Sequence, residues 1–306
     1  MRAFTFENAT KIYFGGGCVK EHLLEAVKPY GETVMLAYGG GSIKTNGIYQ
    51  EVMDVLKLAG KQVIEFSGIM PNPTYSKVME GKKVVQENQV DLILAVGGGS
   101  VMDCSKAISM AAATDKDVWE EYWIKKGEID FEPVPVGVIV TVVGTGSEVN
   151  GEGVITHEEQ KIKTSRNYPR CNPVFAMMDP KYTYTVSPLQ TAAGGFDTLS
   201  HVMETYFSAP DEDNLSDAIS EALMRSIIEN LPVAIREPEN YEARSNLMWA
   251  STMAEIGIIK LGKQCDFEAH MIEHQMGAYT DCNHGMGLGV IHPAYYRRIC
   301  RDGIKK

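Results

Sequence analysis

The chain has 306 residues, 44% hydrophobic and 23% charged, which excludes wholesale disorder and gives length for about two domains with unstapled cores. Its 29 Lys and Arg against 40 Asp and Glu leave a net charge of −11, which speaks against a nucleic-acid or anionic-membrane partner. Six cysteines (Cys18, Cys104, Cys171, Cys265, Cys282 and Cys300) form no C-x-x-C pair and fit a reducing cytoplasm rather than a disulfide scaffold. No apolar stretch reaches membrane-spanning length, and the opening MRAFTFENATKIYF lacks the apolar core of a signal peptide.

In chain order, Val34 to Tyr38 is strand-like and runs into Gly39-Gly40-Gly41-Ser42. A helical pattern follows, with Ile48, Val52, Val55, Leu56 and Leu58 on one side, and Gly60 closes it. Gln62 to Phe66 is a second short strand, and Tyr75 to Asn88 a further helix. Asp91 to Val96 is a nearly continuous apolar run, as parallel strands covered on both faces require. It ends in Gly97-Gly98-Gly99-Ser100 and another helix, and Val136 to Val142 is again β-rich. This alternation predicts an open α/β sheet. Beyond Asp179-Pro180 the pattern turns helical: Gln190 to Ser208, Leu215 to Asn230, Tyr241 to Ile259 and Asp266 to Met276. The expected division is a dinucleotide-binding α/β domain over 1–180 and an all-α metal-binding domain over 181–306.

The two strand–glycine–helix junctions are candidate phosphate sites. Glycine lets backbone amides approach a ligand closely, and a helix N-terminus then offers about half a positive charge. An NAD site usually places a carboxylate on the ribose 2′-hydroxyl. The first junction offers only Gly39, Gly40, Gly41, Ser42 and, two residues on, Lys44, which favours NADP(H) over NAD(H). For the Lys44 side chain alone, a solvated place at a helix start reads equally well. No G-x-G-x-x-G is present. Thr141 and the run Gly144-Thr145-Gly146-Ser147 follow the last strand, where open α/β sheets bind ligands.

In the helical half, Asp197 and His201 are spaced i, i+4, as are His270 and His274, and His284 follows ten residues later. Each i, i+4 pair shares a helical face. One carboxylate with several imidazoles suits a divalent first-row metal, Fe(II) or Zn(II). Spacing leaves open which of His270, His274 and His284 bind it. His22, His157 and His292 read as ordinary surface or core histidines.

Several long segments then carry a resemblance: LAYGGGSIK, IMPNPTY, LILAVGGGSVMD, VGTGSEVNGEGVIT, FAMMDPKYTYTVSP, TAAGGFDTLSHVMETY, REPENYEARSNLMWASTMA and HMIEHQMGAYTDCNHG. In these the chain resembles the iron-containing (group III) alcohol dehydrogenases, most closely the NADPH-dependent butanol dehydrogenase-like branch. The resemblance implies metal ligation by Asp197, His201, His270 and His284, with His274 a non-ligating histidine near nicotinamide and substrate. It makes Gly97, Gly98, Gly99 and Ser100 the pyrophosphate loop with Asp103 nearby, and Thr141, Thr145 and Lys163 cofactor contacts. It also implies an N-terminal hairpin at Phe14-Gly15-Gly16-Gly17, and with it a homodimer.

The family continues through further helices beyond residue 306, so the chain is expected to be C-terminally truncated relative to it. Glu255 and Glu268 stand where apolar or small residues are usual, and His292 replaces a typical Thr. The expected reaction is hydride transfer between NADP(H) and a primary alcohol or aldehyde. The alternatives are a lyase or cyclase of dehydroquinate synthase type, and an inactive nucleotide-binding fragment.

Overall fold

A computed structural model describes residues 2–209 and 214–302. They form two compact units, one of Ala9–Val142 and Ser147–Thr183, the other of residues 2–8, Val143–Gly146 and the described residues from Tyr184 on.

The first unit runs β1 (Lys11–Phe14), α1 (Cys18–Val27), β2 (Thr33–Tyr38), α2 (Ser42–Thr45), α3 (Ile48–Leu58), β3 (Gln62–Phe66), α4 (Tyr75–Asn88), β4 (Leu92–Gly97), α5 (Gly99–Ala112), β5 (Val136–Val140), β6 (Glu152–His157), β7 (Ile162–Asn167) and β8 (Phe175–Met178). Six strands make one parallel sheet in the order β1-β8-β5-β4-β2-β3, and β6 and β7 pair antiparallel as a hairpin. Every residue of β4 and β5 is buried, which is why these strands are apolar throughout rather than alternating. The core gathers Val34, Leu36, Leu92, Leu94 and Ile139 with Val19 and Leu23 of α1 and Val52 and Leu56 of α3.

The sheet order fixes where a ligand can sit. After β2 the chain steps outward to β3, then returns to lay β4 on the other side of β2, with Tyr38 opposite Val96. The two glycine junctions therefore leave neighbouring strands at the switch point of the sheet, where open α/β folds bind ligands.

Three local expectations differ from the structure. Gly15–Gly17 joins β1 directly to α1, and β1 pairs parallel with β8, so there is no hairpin at Phe14. The start of α1 is instead held by Asp179, whose Oδ2 accepts the Gly17 N–H at 2.6 Å. Leu58 is 75% exposed, because at the helical period it lies roughly 100° around from the Ile48–Val52–Leu56 stripe. The last central strand stops at Val140, short of Val142.

The second unit is helical: α6 (Pro188–Tyr206), α7 (Leu215–Arg236), α8 (Tyr241–Glu255), α9 (Glu268–Thr280) and α10 (His284–Asp302). Ser187, Asn214 and Asn240 cap α6, α7 and α8 through side-chain oxygens. Val202, Ile227, Ala234, Leu247, Ala250 and Ile259 form its core. The pattern read through to Ile259 breaks after Glu255, α9 extends to Thr280, and α10 was not anticipated. Among the described residues no helix is long and apolar enough to cross a membrane.

Candidate functional site

In the helical unit, α6 carries Asp197, His201 and Glu204 along one face, and α9 carries His270, Glu273 and His274. His284 is the first residue of α10. Asn283 presents it, its Oδ1 accepting the Met286 N–H at 3.2 Å and its Nδ2 donating to Gln190 Oε1 on α6 at 2.9 Å. The two helices pass so closely that a Cβ on Gly285 would lie 2.1 Å from the carbonyl oxygen of Ala193. That approach brings His284 to Asp197.

The imidazoles of His270 and His284 are oriented alike, whereas His201 has its Nδ1 3.5 Å from Asp197 Oδ1. His201 Nδ1 donates to the Asp197 backbone carbonyl at 2.9 Å. His270 Nδ1 faces the Glu204 carboxylate, and His284 Nδ1 faces the Glu273 carboxylate. Each acceptor requires a proton on Nδ1, so in the neutral ring the lone pair is on Nε2. Nε2 of His284 lies 3.5 Å, and Nε2 of His270 3.7 Å, from Asp197 Oδ1. Ligand atoms of Asp197, His201 and His270 fall within 4.8 Å of one another.

These residues fit a divalent metal. Metal–ligand bonds of about 2.1 Å in a tetrahedron put neighbouring ligand atoms roughly 3.4 Å apart. Asp197 Oδ1 and His270 Nε2 are buried with no hydrogen-bond partner among the described residues, an arrangement costly without an ion. Burial pushes Asp197 up, but His201, His284 and His270 outweigh it and hold the carboxyl well below its usual range. Burial first, and His270 second, push His201 down towards the neutral form a metal needs. His274 is buried beside His284, with ring centroids 5.5 Å apart.

Glu255, ambiguous by sequence, is buried: its Oε2 accepts from Lys260 at 2.8 Å, and its unpartnered Oε1 lies 4.0 Å from His201 Nε2. Glu268 is exposed and accepts from Tyr295 at 2.6 Å. His292 is buried, with Nε2 3.4 Å from Glu204.

In the sheet unit, Gly97 ends β4, Gly98 precedes α5, and Gly99 and Ser100 open that 14-residue helix. A Cβ on Gly97 would lie 2.5 Å from Val101, so the turn admits no side chain. Thr141 is tied to this loop, its N–H donating to the Gly97 carbonyl at 3.0 Å. Gly41 precedes α2 in a left-handed conformation, φ 100°, with Ser42 opening the helix.

Lys44 is not free. Its Nζ lies 2.9 Å from Glu65, which also accepts from Tyr38 at 2.5 Å and Tyr49 at 2.7 Å. Hydrogen bonds from Tyr38, Tyr49 and Lys44 hold Glu65 at about 2. Sequence reading missed this carboxylate because it looked for acid within the glycine loop, whereas Glu65 arrives from β3. Asp103, expected beside the pyrophosphate, is buried and accepts from Ser147 Oγ at 2.5 Å and from the Val154 N–H at 3.2 Å. Lys106 joins it, donating to Ser147 and Asn150. Lys163 is buried on β7, and Thr145 belongs to the helical unit. Glu204 and Glu273 were also missed, although each lies three residues after a candidate ligand on the same helix.

A parallel sheet with twin glycine loops at its switch point, and a helical unit with a buried carboxylate–imidazole centre, define a metal-dependent dinucleotide oxidoreductase. The chain belongs to the iron-containing alcohol dehydrogenase family: residues 9–180 match iron-containing alcohol dehydrogenase, and residues 191–301 match the C-terminal part of the Fe-containing alcohol dehydrogenase family. It is 39% identical to NADH-dependent butanol dehydrogenase A of Clostridium acetobutylicum over 302 residues, 99% of this chain and 77% of that protein. It is 37% identical to the NADPH-dependent aldehyde reductase YqhD of Escherichia coli over 297 residues, 97% of this chain and 76% of that one. The crystal structure of an NADH-dependent butanol dehydrogenase A from Thermotoga maritima superimposes with a TM-score of 0.94 at 36% identity, covering 98% of this chain and 75% of that chain. The fold expectation stands, and the protein is an oxidoreductase that uses a nicotinamide cofactor and a metal.

Proposed function

We propose that the protein interconverts small primary alcohols and aldehydes with NADP(H) as the preferred coenzyme, around a divalent ion, Fe(II) or Zn(II), held by Asp197, His201, His270 and His284. The observation that carries the reading is the convergence of Asp197 Oδ1 with the Nε2 atoms of His270 and His284, while three Nδ1–H groups are committed elsewhere. When bound, the metal polarises the substrate oxygen and the nicotinamide takes up or returns a hydride.

The chain's own groups do the rest. Gly97, Gly98, Gly99 and Ser100 present backbone amides and a helix N-terminus to a pyrophosphate. In the sheet unit, Thr141 and Lys163 are further cofactor contacts. Asp103 acts here as a brace, fixing the start of α5 to the segment around Ser147. His274, next to His284, moves the proton that alcohol oxidation releases and aldehyde reduction consumes, since imidazole changes charge near neutral pH. Ser42 and Lys44 are the groups for a 2′-phosphate, and Glu65 attenuates Lys44 without removing it.

The family relatives support a dehydrogenase rather than the cyclase alternative. NADPH consumption with butanal, in protein loaded with Fe(II) or Zn(II), tests the activity. Loaded protein that turns over no aldehyde of a panel with either coenzyme would sink it and leave the nucleotide-binding fragment. A Glu65→Gln variant should lower KM for NADPH, and Lys44→Ala should raise it. A homodimer remains a proposal for sedimentation analysis.

A further inference from the structure

Three Nδ1–H groups face acceptors at the metal centre, and the acceptors differ in kind. His201 has a neutral backbone carbonyl from its own helix. His270 and His284 each have a carboxylate from a neighbouring helix, Glu204 on α6 for the first and Glu273 on α9 for the second. Both carboxylates are buried, at 1% and 0% exposure, so neither is there for solvation. A buried carboxylate is expensive unless a positive or donating group needs it.

Glu204 is itself fixed by α9, whose capping position is held by Phe267 in a left-handed conformation and offers no side-chain acceptor, while Asp266 accepts only the Glu268 N–H at 3.3 Å. Its two oxygens accept the N–H groups of Ala269 at 3.0 Å and His270 at 3.2 Å. One carboxylate thus closes the amino end of α9 and orients the first imidazole on it. His292, with Nε2 3.4 Å from Glu204, packs edge-on against the His270 ring. Glu273 lies one turn further along α9 and repeats the arrangement towards α10. The result is a chain of carboxylate and imidazole from α6 through α9 to α10, two of whose imidazoles reach the Asp197 carboxylate.

We infer that Glu204 and Glu273 are positioning residues for the metal centre: by accepting the Nδ1 protons of His270 and His284 they fix the tautomer, aim Nε2 at Asp197, and raise the basicity of both imidazoles as donors. Neither touches substrate. The inference rests on the metal-centre reading above. Removal of an outer partner of a metal-bound histidine typically weakens metal affinity 10- to 100-fold.

The test uses the whole chain, stripped of metal and titrated with Co(II) or Zn(II) against a chelator of known affinity. The Co(II) visible spectrum reports ligand geometry. Glu273→Gln and Glu204→Gln keep an acceptor but lose the charge, and each should weaken affinity about 10-fold or more. Glu273→Ala should weaken it further and alter the Co(II) spectrum. If Glu204→Gln fails to fold because α9 loses its cap, Glu273→Gln and Glu273→Ala decide alone. Wild-type affinity and an unchanged spectrum in both Glu273 variants would overturn the inference while leaving the metal centre standing. A wild-type chain that binds neither ion would overturn the metal-centre reading itself.

Discussion

The two units bury their charged groups in different places. In the sheet unit, β4 and β5 are buried and apolar throughout, and the buried charged residues Asp103, Lys106 and Lys163 lie off these strands, on α5 and β7. In the helical unit the ionisable side chains gather in the interior itself, with Asp197, Glu204, Glu255, His270, Glu273, His274 and His292 all buried. A nucleotide can be bound by geometry at the edge of a finished core. A metal centre is part of the core, so its ligation and the stability of its helices are one problem.

The largest expected effect separates the two units. Chelation, or His270→Ala, should abolish turnover and lower the melting temperature, because an ion present at about 100 times its Kd contributes roughly 2.7 kcal/mol. Nucleotide binding, followed by NADPH fluorescence, should survive. Loss of both together would show that the comparison is drawn in the wrong place.

Acid should distinguish them next. Glu204 and Glu65 are both held at about 2, but Glu204 is buried and the Glu65 side chain is 41% exposed. For Glu204, burial acts upwards, and the interactions with His270 and His292 outweigh it. A depressed carboxyl stabilises the fold above its unfolded pKa, near 4.5, and that contribution is lost as the pH falls through about 2. Denaturant titrations of metal-free protein should lose on the order of 3 kcal/mol across that window, and Glu204→Gln should flatten the slope. Solvent screening reduces the Glu65 contribution to under about 1 kcal/mol, so Glu65→Gln should leave the acid limb nearly unchanged.

A smaller effect sharpens the sheet side. Gly97→Ala forces a Cβ to within 2.5 Å of Val101, and overpacking of this kind costs about 1–3 kcal/mol. Coenzyme KM should rise while the metal content of the purified protein stays at the wild-type level. A metal content that fell with it would blur the separation.

The smallest effect needs only a thiol reagent. Burial pushes Cys18 up to about 11 and Cys104 and Cys171 up to about 12, all three in the sheet unit. Cys300 is exposed, and Cys265 and Cys282 are partly so, all in the helical unit. Native alkylation, read by peptide mass, should label Cys300 first and spare the three sheet-unit cysteines until the protein unfolds.

Elements were legible where one residue pattern decides one structure. Buried parallel strands must be apolar on both faces, so β2, β4 and β5 stand out, and the twin glycine runs mark the ends of β2 and β4. β1 and β8 are four residues each, too short for a period to show, and their pairing joins residues more than 160 apart in the chain. The hairpin of β6 and β7 was hidden by mixed polar residues that pair with each other rather than with the main sheet.

At the site, i, i+4 spacing was enough to put Asp197 with His201 and His270 with His274 on shared faces, because helical geometry is local. Which nitrogens meet Asp197, whether Glu255 faces inward, and that Glu65 claims Lys44 all depend on side chains brought together from separate elements. Local periodicity determined β2 to β5, α3 to α9 and the candidate ligands. Only the packing of α6, α9 and α10 decided their orientation, since a hydrogen bond between helices leaves no trace in the spacing along either one.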